Sequence, residues 1–302
     1  METTNRTALI VGGTSGIGLG LARRFAAAGS TVIVGGRNTA HIDDLATVTI
    51  DVTDPDSVHR TRDSVLAGHP DLDVVVTMSG VMLVEDLREP LHINVADQTI
   101  ATNLLGTIRV TDAFTPHLMA RGAGTFITVS SGIGFLPFSL MPTYGASKAG
   151  VHAYSESLRA QLDGTGVEVT ELVPPAVATT PEQKQMNPSA LDLDAFLDEV
   201  MTLLAQNPTP NEILVQGVLQ HRWAERDGTT PTSWHAAPRH SPTCRAADDR
   251  AAIAPAGPGN GLRLRDRCRL VGIGAARSGA AGRPTACGRD RPGRRSRGGC
   301  PR

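Results

Sequence analysis

The chain opens with a short unbroken apolar run, Ala8-Leu9-Ile10-Val11, followed by glycines and then by apolar residues at helical spacing. This alternation recurs along most of the sequence. Runs rich in Val, Ile, Leu and Thr predict strands at 7–11, 31–35, 47–50, 73–77, 124–130, 167–173 and 212–216. Stretches whose apolar positions return every three or four residues predict helices at 17–28, 54–67, 96–120, 143–163 and 191–206. Most of the strands are continuous apolar runs, as expected of strands buried on both faces of a parallel sheet. The pattern therefore predicts an α/β fold, a doubly wound parallel sheet of about seven strands spanning residues 5–227.

From residue 228 the pattern stops. Between 228 and 302 only six residues are Leu, Ile, Val or Phe, too few to offset the entropy of ordering the chain, so this Arg/Gly/Ala/Pro-rich tail is expected to be disordered. The charge divides at the same place. Residues 1–227 carry 14 basic and 26 acidic side chains, whereas the tail carries 15 arginines, no lysine and 4 acidic residues. Such a tail could bind phosphate backbones, but Trp234 is its only aromatic residue, so a stacking platform is missing and nucleic acid is not the expected partner. The abrupt break after Trp223-Ala224-Glu225-Arg226 fits out-of-frame translation of a GC-rich gene. All four cysteines (Cys244, Cys268, Cys287, Cys300) lie in the tail without Cys-x-x-Cys spacing, so no metal site is expected. The N-terminus shows no basic segment leading into a long apolar one, and no apolar stretch reaches membrane-spanning length. A soluble cytoplasmic protein with no membrane partner is expected.

The first predicted strand leads into Gly12-Gly13-Thr14-Ser15-Gly16-Ile17-Gly18 and then a helix. Glycines at this junction permit a tight turn, close approach of a pyrophosphate and close helix packing, while the helix start offers free N–H groups to an anion. Gly12, Thr14, Ser15, Gly16, Ile17 and Gly18 are therefore candidate dinucleotide ligands. After the second strand, Gly36 and Arg37 stand where an acidic residue would take ribose hydroxyls. A base there can instead neutralise a 2′-phosphate, which favours NADP over NAD as cofactor. Asp51 and Val52, after the third strand, are placed to read an adenine; alternatively, Asp51 helps to start the next helix.

A second constellation lies further on. Ser131 closes the fifth strand, and Tyr144 and Lys148 stand one helical turn apart in Tyr144-Gly145-Ala146-Ser147-Lys148. The chain contains only two tyrosines and two lysines, so this pairing is not a product of abundance. A lysine ammonium near a phenol, joined by the charge of an oxidised nicotinamide, is expected to lower the phenol's pKa and make Tyr144 a general acid or base. Ser131 would hydrogen-bond a substrate oxygen as charge builds there. Asn103 lies inside a predicted helix, where its side chain or a locally freed carbonyl could hold a water that passes protons to Lys148.

Together the glycine turn, the Ser131-to-Tyr144 spacing and Tyr-x-x-x-Lys resemble the short-chain dehydrogenase/reductase family over residues 5–227. The resemblance implies a Rossmann-type sheet, NADP or NAD, and a catalytic set of Asn103, Ser131, Tyr144 and Lys148. It also implies cofactor contacts from Ser79, Gly80, Asn103, Tyr144, Lys148, Pro174, Val177 and Thr179, and a homodimer or homotetramer paired through helices 96–120 and 143–163. Val11 replaces the family's threonine, Thr77-Met78-Ser79-Gly80 replaces Asn-Asn-Ala-Gly, and Pro174-Pro175 replaces Pro-Gly. The Glu212-Ile213-Leu214-Val215 strand resembles the branch that includes the DltE-like reductases. In the family the substrate region falls on loop 132–142 and a lid around 181–206. Phe135, Leu136, Phe138, Leu140 and Met141 suit a hydrophobic carbonyl or alcohol substrate; they suit core or oligomer contacts equally well.

Three functional classes follow from these features. The first is an NAD(P)(H)-dependent oxidoreductase acting on CH–OH groups and carbonyls. The second is a non-catalytic dinucleotide-binding redox sensor, and the third is a nucleic-acid binder driven by the tail. An intact proton-donor set favours the enzyme, because a sensor has no need of one.

Overall fold

The structure, a computed structural model, describes residues 1–229. Apart from Gly228 and Thr229, the tail lies outside the described residues, and with it the expectations of disorder and out-of-frame origin. In chain order the strands are β1 (Thr7–Val11), β2 (Thr31–Gly36), β3 (Ala46–Thr49), β4 (Val74–Thr77), β5 (Gly124–Val129), β6 (Val167–Leu172), β7 (Val177–Ala178), β8 (Leu191–Asp192) and β9 (Glu212–Ile213). The helices are α1 (Gly16–Ala27), α2 (Pro55–Gly68), α3 (His92–Ile100), α4 (Gly106–Arg121), α5 (Pro142–Leu162), α6 (Pro181–Met186), α7 (Leu193–Leu204) and α8 (Leu219–Arg222).

Seven strands form one parallel sheet in the order β3-β2-β1-β4-β5-β6-β9, the doubly wound arrangement the apolar runs predict. β1 pairs with β2 on one side, from Thr7↔Thr31 to Val11↔Gly35, and with β4 on the other, from Ala8↔Val74 to Val11↔Thr77. The winding reverses between β1 and β4, which leaves a crevice outside their carboxyl ends.

Side chains alternate across the sheet. Ala8 and Ile10 pack on one face with Leu21 and Phe25 of α1 and Phe196 and Val200 of α7. Leu9 and Val11 pack on the other with Val58 and Val65 of α2 and Val110, Phe114 and Leu118 of α4. Each face is thus sealed by helices, and polar chemistry is left to the strand ends. Local signals start the helices where they are needed. In α2, Pro55 takes the first helical position and the Asp54 carboxylate accepts the Asp56 N–H at 3.0 Å.

Several elements depart from the periodicity. The single helix expected at 96–120 is α3, a π-turn at Ala101–Leu105, and α4. Side chains take up the carbonyls at this irregular turn: the Thr107 hydroxyl donates to Asn103 O at 2.9 Å and the Arg109 guanidinium to Ala101 O at 3.4 Å. The strand expected at 212–216 stops at Ile213. Beyond it the Gln216 N–H is drawn to the Glu199 carboxylate at 2.7 Å and the chain turns into a 3-10 segment, Gln216–Val218. The helix expected at 191–206 begins only at Leu193, because Leu191 and Asp192 pair with Val177 and Ala178 as a separate two-stranded ribbon. α6 had no apolar period to announce it; Thr180 caps it and Pro181 begins it. Among the described residues no helix is long and apolar enough to cross a membrane.

Phe114 is fully buried between α4 and the sheet. Phe114→Ala is expected to lower the unfolding free energy by about 3–5 kcal/mol in a urea titration. A loss below about 1 kcal/mol would show that this face of the core collapses around the cavity.

Candidate active site

The crevice is lined first by the turn after β1. Gly12 has φ +90°, and its N–H donates to Gly35 O at 2.8 Å. A Cβ on Gly12 would lie 2.4 Å from Ser79 N, and one on Gly18 would lie 2.4 Å from Gly12 O. Only glycine therefore lets this turn press against the chain leaving β4 while α1 starts directly beneath it. Ser15 precedes α1 without a side-chain capping bond, and the first turn contains no acidic residue. Its N–H groups are placed for an anion. Ile17 lies in this turn, and the Thr14 carbonyl accepts from His41 Nε2 at 2.9 Å. The Thr179 methyl stands 3.2 Å from where a Cβ on Gly16 would be, so the segment after β7 reaches the same turn.

Gly36 ends β2 against the Thr14 side chain, and Arg37 follows it exposed at the rim. The Asp51 carboxylate accepts the Thr53 N–H at 2.9 Å and the Thr53 hydroxyl at 2.6 Å, which holds its pKa below the usual carboxylate range. The charge of Arg37 acts on it in the same direction. Asp51 thus shapes the turn ahead of α2, although the cap of α2 itself is Asp54. Val52 is buried, and its carbonyl accepts from Arg109 at 3.1 Å. A cradle without side chains, an uncapped helix start and a basic rim fit the pyrophosphate and phosphates of a dinucleotide.

The four expected catalytic residues come from three parts of the fold, the π-turn, the end of β5 and α5, and meet at the carboxyl edge of the sheet. Ser131, 8 % exposed, follows β5; its hydroxyl accepts the Ile133 N–H at 3.4 Å and acts on the Tyr144 phenol, in the first turn of α5, to lower its pKa. One turn further, Lys148 is buried and donates from Nζ to Val129 O at 2.7 Å, with Nζ 5.9 Å from the centre of the Tyr144 ring. Asn103, fully buried in the π-turn, accepts the Val81 N–H at 2.8 Å and donates to Val81 O at 2.9 Å and to Ser147 Oγ at 3.1 Å. Its amide is therefore spent on holding the β4 exit against α5, and its carbonyl is engaged by Thr107. Gly80 lies beside both: a Cβ there would be 3.4 Å from Asn103 Oδ1 and 3.8 Å from Lys148 Nζ. Pro174 lends its carbonyl to the Gly132 N–H at 2.9 Å, and Val177 pairs with Leu191 in the ribbon.

Burial pushes the Tyr144 phenol above the ordinary tyrosine value, and Ser131 only partly opposes this. Loss of water on burial is the larger effect. Lys148 itself is lowered to about 8 by burial, a fall that the Glu171 carboxylate resists.

Glu171 is a site residue that the motifs miss. It is fully buried on β6; its Oε2 accepts from His152 Nδ1 at 2.8 Å and its Oε1 has no hydrogen-bond partner. The signal was present as a carboxylate within the apolar run Val169-Thr170-Glu171-Leu172-Val173, and as His152 four residues after Lys148. Side-chain atoms of His152, Glu171 and Glu212 lie within 4.8 Å of one another, but Arg222 already holds both Glu212 oxygens, at 2.8 and 3.1 Å. With Arg222 these three side chains form a charge network. The apolar loop divides as well: Phe135 packs edge-on against His152 at 4.7 Å, whereas Phe138 and Leu140 are exposed.

This site, a glycine cradle beside a Ser–Tyr–Lys set on a doubly wound sheet, defines a dinucleotide-dependent oxidoreductase class. The chain belongs to the short chain dehydrogenase family, whose model matches residues 6–190. It is 35% identical over 199 residues to the uncharacterized oxidoreductase DltE of Bacillus subtilis (strain 168), covering 63% of this chain and 79% of that protein. It is 32% identical over 180 residues to the NADP-dependent 3-hydroxy acid dehydrogenase YdfG of Salmonella typhi, covering 57% of this chain and 73% of the relative. Its fold is similar to a short chain dehydrogenase from Burkholderia cenocepacia J2315 in complex with NADP, with a TM-score of 0.67 and 22% identity over 76% of this chain and 96% of that one.

The lowered Lys148 pKa has a consequence for stability. Below pH 8 both states hold the proton and the burial penalty is complete. Between about 8 and 10.5 the unfolded chain binds a proton that the native one lacks, so stability rises with pH. Wild type should therefore gain about 3 kcal/mol relative to Lys148→Met across this window, read from urea titrations at several pH values. Parallel pH curves for the two proteins would contradict it.

Proposed function

We propose that the protein is an NADP(H)-dependent oxidoreductase that interconverts a carbonyl and an alcohol, with Tyr144 as the proton donor and acceptor. The observation that carries this reading is the placing of Ser131, Tyr144 and Lys148 together at the sheet edge, with Ser131 acting on the phenol and the lysine buried on Val129 O, 5.9 Å from the centre of the phenol ring. When bound, the nicotinamide supplies or takes the hydride. In reduction, Ser131 donates to the substrate oxygen and Tyr144 gives that oxygen its proton, becoming a phenolate. The raised pKa makes the phenol a weaker acid in the free site, so positive charge from Lys148 and an oxidised nicotinamide would have to bring it down for proton transfer. Lys148, still mainly charged at pH 7, stabilises the phenolate and replenishes its proton. Asn103 braces the β4 exit against α5, so that Ser79 and Gly80 keep their close approach to the cofactor.

Support for NADP comes from Arg37 and Gly36 at the rim, and from YdfG, a relative whose name records NADP dependence. Gly12, Thr14, Ser15, Gly16, Ile17 and Gly18 would hold the pyrophosphate, Asp51 and Val52 the adenine, and Pro174, Val177 and Thr179 the nicotinamide end. Exposed Phe138 and Leu140 favour a hydrophobic substrate. A cytoplasmic homodimer or homotetramer is the assembly we infer from family membership.

Two variants test this assignment. Tyr144→Phe should keep NADPH affinity and lower kcat by about 10²–10⁴-fold in a carbonyl-substrate assay. Unchanged turnover would remove Tyr144 from the chemistry, and a protein that binds NADPH yet turns over no carbonyl would favour the sensor. Arg37→Ala should weaken NADPH binding about 10- to 100-fold in a fluorescence titration and leave NADH nearly untouched. Equal losses for the two would show that Arg37 does not read the 2′-phosphate.

A further inference from the structure

The loop leaving β4 crosses the mouth of the site with Met82, Val84 and Leu87 exposed, 41%, 49% and 59% respectively. Glu85, in their midst, points inward and is only 6% exposed. A carboxylate buried to this degree needs strong hydrogen bonds to persist. Both of its oxygens are satisfied by one residue: Oε2 accepts the Thr143 N–H at 2.9 Å and Oε1 the Thr143 hydroxyl at 2.9 Å. The Glu85 N–H adds a third bond, to Leu140 O at 3.0 Å.

Thr143 is the second residue of α5 and immediately precedes Tyr144. The start of α5 lacks a cap of its own, since Met141 provides no side-chain acceptor and Pro142 no N–H. The cap comes instead from 58 residues away in the chain. A carboxylate at this end also complements the helix dipole. One side chain therefore ties the loop across the mouth to the first turn of the helix that presents the phenol.

We propose that Glu85 is a positioning residue for Tyr144, capping the catalytic helix from the opposite wall of the mouth and fixing where the phenol stands. The proposal rests on the oxidoreductase reading for its effect on rate, but not for the cap itself. In Glu85→Ala, NADPH affinity should stay within about twofold while kcat falls about tenfold or more, because small misplacements of reacting groups are costly. Glu85→Gln, whose amide oxygen still accepts the Thr143 N–H, should recover most of the rate and serves as the variant if Glu85→Ala does not fold. In a Tyr144→Phe background Glu85→Ala should add little further loss, since both changes act through one group.

Hydrogen exchange at the Thr143 and Tyr144 amides gives a readout free of any substrate and should be about tenfold faster in Glu85→Ala. Faster exchange upholds the cap even if the wild type reduces no carbonyl tested, a result that would count against the oxidoreductase reading alone. Unchanged exchange, or kcat within twofold of wild type with only a lower Tm, overturns the proposal.

Discussion

The site depends on one buried cation. Lys148 has almost no contact with water, and the interaction that holds it is the bond from Nζ to Val129 O at the end of β5. Burial alone favours a neutral amine, and the Glu171 carboxylate beneath α5 works against this, leaving a group that is mainly protonated at neutral pH. A fully exposed lysine would be screened by solvent, and a fully isolated one would be uncharged. Neither would serve the proposed support of a phenolate on Tyr144. The parallel sheet matters because it delivers both the carbonyl and the carboxylate, from adjacent strands β5 and β6, to one face of α5.

The same economy governs the cofactor end. Where Val11 lacks a hydroxyl to brace the turn, main-chain bonds do so: the Gly12 N–H donates to Gly35 O and the Met78 N–H to Val11 O, both at 2.8 Å. Where Thr77-Met78 stands in place of two asparagines, Asn103 reaches across to fix Val81 by both its N–H and its C=O. Around these departures the crevice is held by backbone contacts.

Much of this was legible in the sequence. The seven runs became seven parallel strands; where the apolar run is continuous, as in β1, β4 and β5, the strand is buried almost throughout, whereas β3 is largely exposed. The glycine turn, Ser131, Tyr144 and Lys148 converged because the turn and Ser131 follow strand ends and α5 carries the other two one helical turn apart. What the sequence hid was chemistry between distant segments. Glu85 and Thr143 share no local pattern, and a π-turn at Asn103 differs from an α-helix by one residue of winding that periodicity does not register. The rise in the Tyr144 pKa was likewise hidden, since it follows from burial, and the depth of burial is a tertiary property.

The chain holds two lysines, Lys148 and Lys184, so a lysine-labelled sample gives two side-chain resonances to follow with pH. A resonance that titrates near pH 8 and is absent from Lys148→Met is the result expected of a buried, carboxylate-supported ammonium. If instead both lysines titrate at or above the ordinary value of 10.5, Lys148 is hydrated rather than buried, and a lysine-supported proton transfer at Tyr144 loses its electrostatic basis.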